Sequence, residues 1–174
     1  MKKHYLFLSL ILCSFFATLH AQTTRYVKTD GTGTGSSWAD ANNDLQTTIT
    51  NSATGDIIFV KKGEYLLTGS ISMKEGVKIY GSFSGTENTL AQRDLSSFSN
   101  DVNNATILKS NGNQRVITNN VTMSSATVLD GFVITGGRNV DKGGGVYNNN
   151  ASPTLHNLII TDNIITGGNG TGGI

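Results

Sequence analysis

Cysteine is almost missing from this 174-residue chain, and the one residue of that type, Cys13, lies in an apolar N-terminal stretch. The rest of the chain therefore has no disulfide framework and no cysteine-based zinc set. Charge is scarce as well, at 14% of residues, against about 25% in an average soluble protein. Setting aside Lys2 and Lys3, which lie in the N-terminal stretch, turns the formal net charge of +1 into −1. No basic patch stands out, so nucleic acid is not an expected partner. Gly, Asn, Thr and Ser fill the gap. The composition is not that of a disordered chain, because β-branched residues recur throughout at regular spacing.

The chain opens with Met1-Lys2-Lys3-His4, runs apolar from Tyr5 to about Leu19, and reaches Leu19-His20-Ala21-Gln22. A basic start, a short apolar stretch and a small-residue cleavage site make a secretory signal peptide, with cleavage expected after Ala21. The apolar run falls short of the about 20 residues a membrane-spanning helix needs. The mature chain, from Gln22, is expected to carry no transmembrane helix and to be about one domain in size. Cys13 reads as part of the discarded signal, since bulky Leu12 precedes it and the apolar run continues through Phe15-Phe16.

The remainder repeats itself. Ala105-Thr106-Ile107-Leu108 returns as Ala126-Thr127-Val128-Leu129. Ala126 to Gly137 returns as Ser152 to Asn163, and Gly143 to Val146 as Thr171 to Ile174. Gly76 to Gly81 resembles Gly131 to Gly136. Sequential repeats recur at intervals of about 21–28 residues, within the range of stacked repeat proteins.

Within the repeats, Val77/Ile79, Phe132/Ile134 and Leu158/Ile160 alternate with Lys78/Tyr80, Val133/Thr135 and Ile159/Thr161. Alternation with period two puts the first set on the inner face of a strand and the second on the outer. Val133 and Ile159 are apolar on that outer face; either the face is partly covered or the phase differs. Gly and Asn punctuate the runs, and both tolerate the positive φ of tight corners. No helical segment separates the strands, which argues against a βαβ fold.

These features predict an all-β protein, a right-handed parallel β-helix solenoid with a short N-terminal capping helix. Asn43-Asp44 followed by Leu45, Ile49 and Ala53 supplies the helix. The first strong strand is Asp56 to Val60. Asn119, Asn148 and Asn163 are candidates for a ladder of amide hydrogen bonds. The expected divisions are 1–21 signal peptide, 22–54 first strand and cap, and 55–174 coils. The chain stops within what reads as another repeat, so a longer protein is expected, with further coils and an anchoring or secretion domain.

Several motifs, in order, resemble a known family. Tyr26-Val27-Lys28 with Gly33 to Ala41 is similar to the opening of secreted β-helix proteins of Bacteroidetes-type bacteria. Gly55 to Val60 with Gly63-Glu64-Tyr65 resembles their first coil, and Ile79 to Glu87 with Gln92-Arg93-Asp94 their second. Leu129 to Gly137 and Gly143 to Asn149 resemble the repeats that follow, which are shared with polymorphic outer-membrane proteins. The resemblance covers nearly the whole mature chain. It implies a pectin-lyase-like fold and export to the cell surface or beyond. It does not fix a function, because some relatives are polysaccharide lyases or glycosidases and many have no known activity.

Lyases of that kind commonly hold calcium with carboxylates and use Arg or Lys as base. By that analogy Asp130, Arg138, Asp141 and Lys142 are the groove candidates, with Asp162 further along; turn chemistry on a polar surface is the plainer reading of all five. Tyr80 and Tyr147 are candidate aromatic platforms for sugar, or partly buried strand residues. His156 matches Asp130 of the preceding repeat, but one isolated histidine is weak ground for acid–base chemistry.

Other motifs fail. Asp40, Asn42 and Asp44 begin an EF-hand spacing that has Leu45 where glycine belongs, so capping and turn roles fit better. Gly167 to Gly172 lacks the aspartate of a calcium-binding nonapeptide. Gly31 to Gly35 sits in no βαβ unit, and Lys142 stands before its glycines, where a phosphate loop needs it after.

The expectation is therefore a non-catalytic secreted or outer-membrane surface protein: an adhesin, a stalk or a carbohydrate-binding rod, with polysaccharide or another cell surface as partner and no cofactor. The alternative is a polysaccharide lyase or glycosidase whose groove lies largely beyond residue 174. Calcium is implied only under that alternative.

Overall fold

A computed structural model describes residues 21–138 and 140–166. The expected signal peptide, 1–21, lies outside the described residues except for Ala21. So do the glycine-rich run at 167–172 and the last repeat match at 171–174.

The apolar alternation does produce strands, and every pairing between them is parallel. β1 (Thr24–Val27) pairs with β2 (Ile57–Lys61). The next strands are β3 (Gly63–Leu67), β4 (Lys78–Phe83), β5 (Thr106–Ser110), β6 (Ile117–Asn119), β7 (Val128–Thr135), β8 (Val146–Asn148) and β9 (Thr154–Thr161). Seven of them form one sheet in the order β1-β2-β4-β7-β5-β3, with β9 added on β7; β6 and β8 form a separate two-stranded sheet.

This corrects the expected right-handed parallel β-helix. The described residues form a mostly parallel sheet of seven strands, not a stack of equal coils. The cause is visible in β7, which two different strands share. Its first part, Val128 to Asp130, pairs with β4, and its last part, Phe132 to Thr135, pairs with β5. Gly131 between them has φ +83°, the left-handed region that favours glycine, and bends the strand there. A Cβ on Gly131 would stand 2.7 Å from Arg93 Nη1 and 3.0 Å from the Gly81 carbonyl oxygen.

The repeat matches fare unequally. Within the match of Ala126–Gly137 to Ser152–Asn163, Thr154–Thr161 does lie in register on Val128–Thr135, with Asp130 opposite His156. Thr106, however, pairs with Phe132 and not with Thr127. Lys78 pairs with Val128 and not with Val133.

The helix forms as expected. α1 (Leu45–Asn51) is N-capped by Asp44, whose side chain accepts a hydrogen bond from the Thr47 amide at 2.8 Å. Leu45 and Ile49 are buried and join the main apolar core with Val27, Ile58, Val60, Ile79, Leu129, Phe132 and Ile134. Burying each such side chain contributes roughly 1.5–3 kcal/mol.

The second face is covered too. Val133 packs with Ala105 and Ile107, and Phe98 and Ile159 lie against them. Phe98 belongs to the long connection 84–105, which folds back across this face after a 3-10 turn at Leu90–Gln92. Of the two explanations for apolar Val133 and Ile159, coverage is the one realised.

The expected asparagine ladder forms in part. Asn119 Nδ2 donates to Asn148 Oδ1 at 2.8 Å, and Asn119 Oδ1 accepts from the Met73 amide. Asn163 stands elsewhere, accepting from the Gly137 amide and donating to the Ile134 carbonyl.

Candidate functional site

Parallel register brings one row of side chains into line across five strands: Tyr26, Phe59, Tyr80, Asp130 and His156. The first three make an aromatic ladder. Tyr26 and Phe59 meet edge to face at 5.9 Å, and Phe59 and Tyr80 at 6.4 Å. Phe83 stacks on Phe59 at 4.2 Å, and Trp38 lies against Tyr26 and Phe83.

Arg93, carried by the 84–105 connection, lies over the end of this ladder. Its guanidinium carbon is 5.5 Å from the Tyr80 ring centre and 5.8 Å from that of Phe83. Nη2 donates to Asp130 Oδ2 at 2.9 Å, and Nη1 donates to the carbonyls of Gly81 and Asp130. Asn157 Nδ2 donates to the other carboxylate oxygen, Asp130 Oδ1, at 2.8 Å. Both oxygens of Asp130 are thus engaged within the fold. The Arg93 and Asp130 side chains are 7% and 11% exposed, so the pair is largely shielded from water. Burial, with the nearby Asp130 carboxylate, raises the Tyr80 phenol above its usual range, and Arg93 partly opposes this. His156, next in the row, is exposed.

The other groove candidates gather elsewhere. Asp141 pairs with Arg115 Nη2 at 2.6 Å, and Arg115 Nε donates to the Lys142 carbonyl at 2.9 Å. The Arg115 guanidinium lies 4.5 Å from the Tyr147 ring centre and Lys142 Nζ 5.6 Å from it. Arg138 is exposed, its side chain reaching towards Gly112, with its amide bonded to the Gln114 carbonyl. The structure therefore joins Asp141 and Lys142, sets Arg138 on the neighbouring turn, and puts Asp130 in the other cluster. Asp162 is an exposed turn residue with φ +53°. Among the described residues, no three His, Cys, Asp or Glu side chains come together as a metal site.

No family model, curated protein or solved structure matches this chain. The resemblance to secreted β-helix proteins therefore rests on its sequence motifs alone, and the architecture it implied is corrected above.

The acidic residues that failed as an EF-hand are turn and cap residues. Asp40 accepts from the Thr34 and Ser36 side chains, which hold its carboxyl down at about 2. Sequence reasoning missed Arg115 and the role of Arg93. Arg93 stands in the quoted Gln92-Arg93-Asp94 motif, which was a usable signal; Arg115 has none, since its partners come from a distant turn.

Proposed function

We propose that this is an exported, non-catalytic surface protein that binds carbohydrate. The observation that carries the reading is the state of Asp130. Its two oxygens are taken by Arg93 and Asn157, and its partner Arg93 also holds two backbone carbonyls. A carboxylate so engaged works as a brace between β7, β9 and the 84–105 connection; its charge is paired with Arg93 and its side chain is only 11% exposed, so it is turned into the fold and not presented to a substrate. The export half of the proposal rests on the N-terminal signal pattern. Gln22, the expected first mature residue, bonds the Gly55 carbonyl through its side chain at 2.8 Å, so cleavage after Ala21 leaves that contact in place. No helix among the described residues is long and apolar enough to cross a membrane.

Affinity electrophoresis of the mature chain through gels containing neutral or acidic polysaccharide tests the binding. Retardation in at least one polysaccharide is expected. Unchanged mobility in every gel would remove the carbohydrate-binding reading.

A further inference from the structure

The Arg115 cluster goes further than the expectation of an aromatic sugar platform at Tyr147. Neutral sugars stack on an open aromatic face, but here a guanidinium lies 4.5 Å and an ammonium 5.6 Å from the ring centre. Stacking on Tyr147 and the Asp141 pair fix the guanidinium in place. Arg138 stands exposed on the adjoining turn, where its amide bonds the Gln114 carbonyl at 3.2 Å, one residue before Arg115, and its side chain reaches towards Gly112. Arg115 and Lys142 thus share the Tyr147 ring, and Asp141 pairs with Arg115, in a mature chain whose overall charge is −1. Like charges held close together repel, and an anionic ligand relieves that repulsion. Arg138, Lys142 and Asp141 are exposed, so the cluster is open to a macromolecule.

We infer that the two turns carrying Arg115, Arg138 and Lys142, together with Tyr147 of β8, form a binding site for an anionic glycan, whose carboxylate or sulfate groups are read by these cations. This rests on the carbohydrate-binding reading above and names its ligand class. The ring orients the cations and does not stack the sugar.

The test is calorimetric titration of the mature chain with polygalacturonate, chondroitin sulfate, a neutral xylan, double-stranded DNA and vesicles of anionic phospholipid. Binding to polygalacturonate, to chondroitin sulfate or to both is expected, weakening as salt is raised. The two acidic probes separate carboxylate from sulfate recognition. Lys142→Gln and Arg138→Gln, both at exposed positions, should each weaken it about two- to fivefold, and the pair combined about tenfold or more. Arg115→Lys keeps the charge but loses the fork, and should weaken binding; it also loses the Lys142 carbonyl bond and the stacking on Tyr147, so its melting temperature should fall too, and the exposed Lys142 and Arg138 variants decide the test. Lys109→Gln, an equal charge change on β5, should leave binding as it was.

Acidic-glycan binding indifferent to Lys142, Arg138 and Arg115 would overturn the inference. So would binding of xylan alone, which would leave the carbohydrate-binding reading intact. Equal or tighter binding of DNA or anionic vesicles through the same residues would also overturn it, replacing the glycan with a phosphate polymer or a membrane. Failure of every glycan would overturn both.

Discussion

Two ion pairs on this sheet differ in what surrounds them, and that difference sets what each contributes. Lys109 and Glu64 meet at 3.0 Å but are 46% and 40% exposed. Water competes there, and removing either partner should cost less than about 1 kcal/mol. Arg93 and Asp130 meet at nearly the same distance with little exposure. Arg93→Ala would leave the Asp130 carboxylate shielded without its main partner, and the loss should be about 3–5 kcal/mol. Chemical denaturation of Arg93→Ala beside Lys109→Gln checks the contrast. Glu87 is a buried acid of the 84–105 connection itself. Burial raises its pKa, but the amides of Ser84 and Thr86 more than offset this and hold it at about 2, against 4.5 for a free glutamate. A carboxyl depressed on folding stabilises the native state above its unfolded value and loses that contribution as pH falls through the folded one. Stability should therefore decline between about pH 4.5 and pH 2 in the wild type. Glu87→Gln should flatten that decline, and melting temperatures measured across the interval decide it.

At the scale of elements, β7 and the 84–105 connection set the architecture. β7 serves β4 with one half and β5 with the other because Gly131 turns it in between. Gly131→Ala would add a strained conformation and a Cβ 2.7 Å from Arg93 Nη1. A loss of about 2 kcal/mol or more is expected from denaturation of this variant, above the roughly 1 kcal/mol of a simple glycine replacement. The sequence exposed much of this level. Period-two alternation revealed the strands, Asp44 the helix start, and the match of Ala126–Gly137 to Ser152–Asn163 the β7–β9 register. It hid the sheet order, because residues such as Thr106 and Lys78 look equally suited to several partners, and only the bend at Gly131 decides between them. Pairing of Asp130 with His156 was legible because both stand at the same point of a long repeat. Pairing of Asp130 with Arg93 was not, because the connection that carries Arg93 has no counterpart in the other repeats.

The whole molecule reads as a scaffold whose charged residues are divided between bracing and display. Arg93 and Asp130 brace, fastening a covering connection over an aromatic ladder. Arg138 and Lys142 display, standing exposed on neighbouring turns beside Arg115. The groove candidates inferred by analogy with lyases fall on both sides of this division, which is why they do not assemble into one site. Asp130 holds the fold, and the role proposed for the protein is to bind polysaccharide without cutting it. The direct measurement is incubation of the mature chain with acidic and neutral polysaccharides, with and without calcium, following unsaturated-sugar absorbance and new reducing ends. Traces indistinguishable from the protein-free blank are expected. Calcium-dependent product formation that disappears in a folded Asp130→Asn variant would contradict that role.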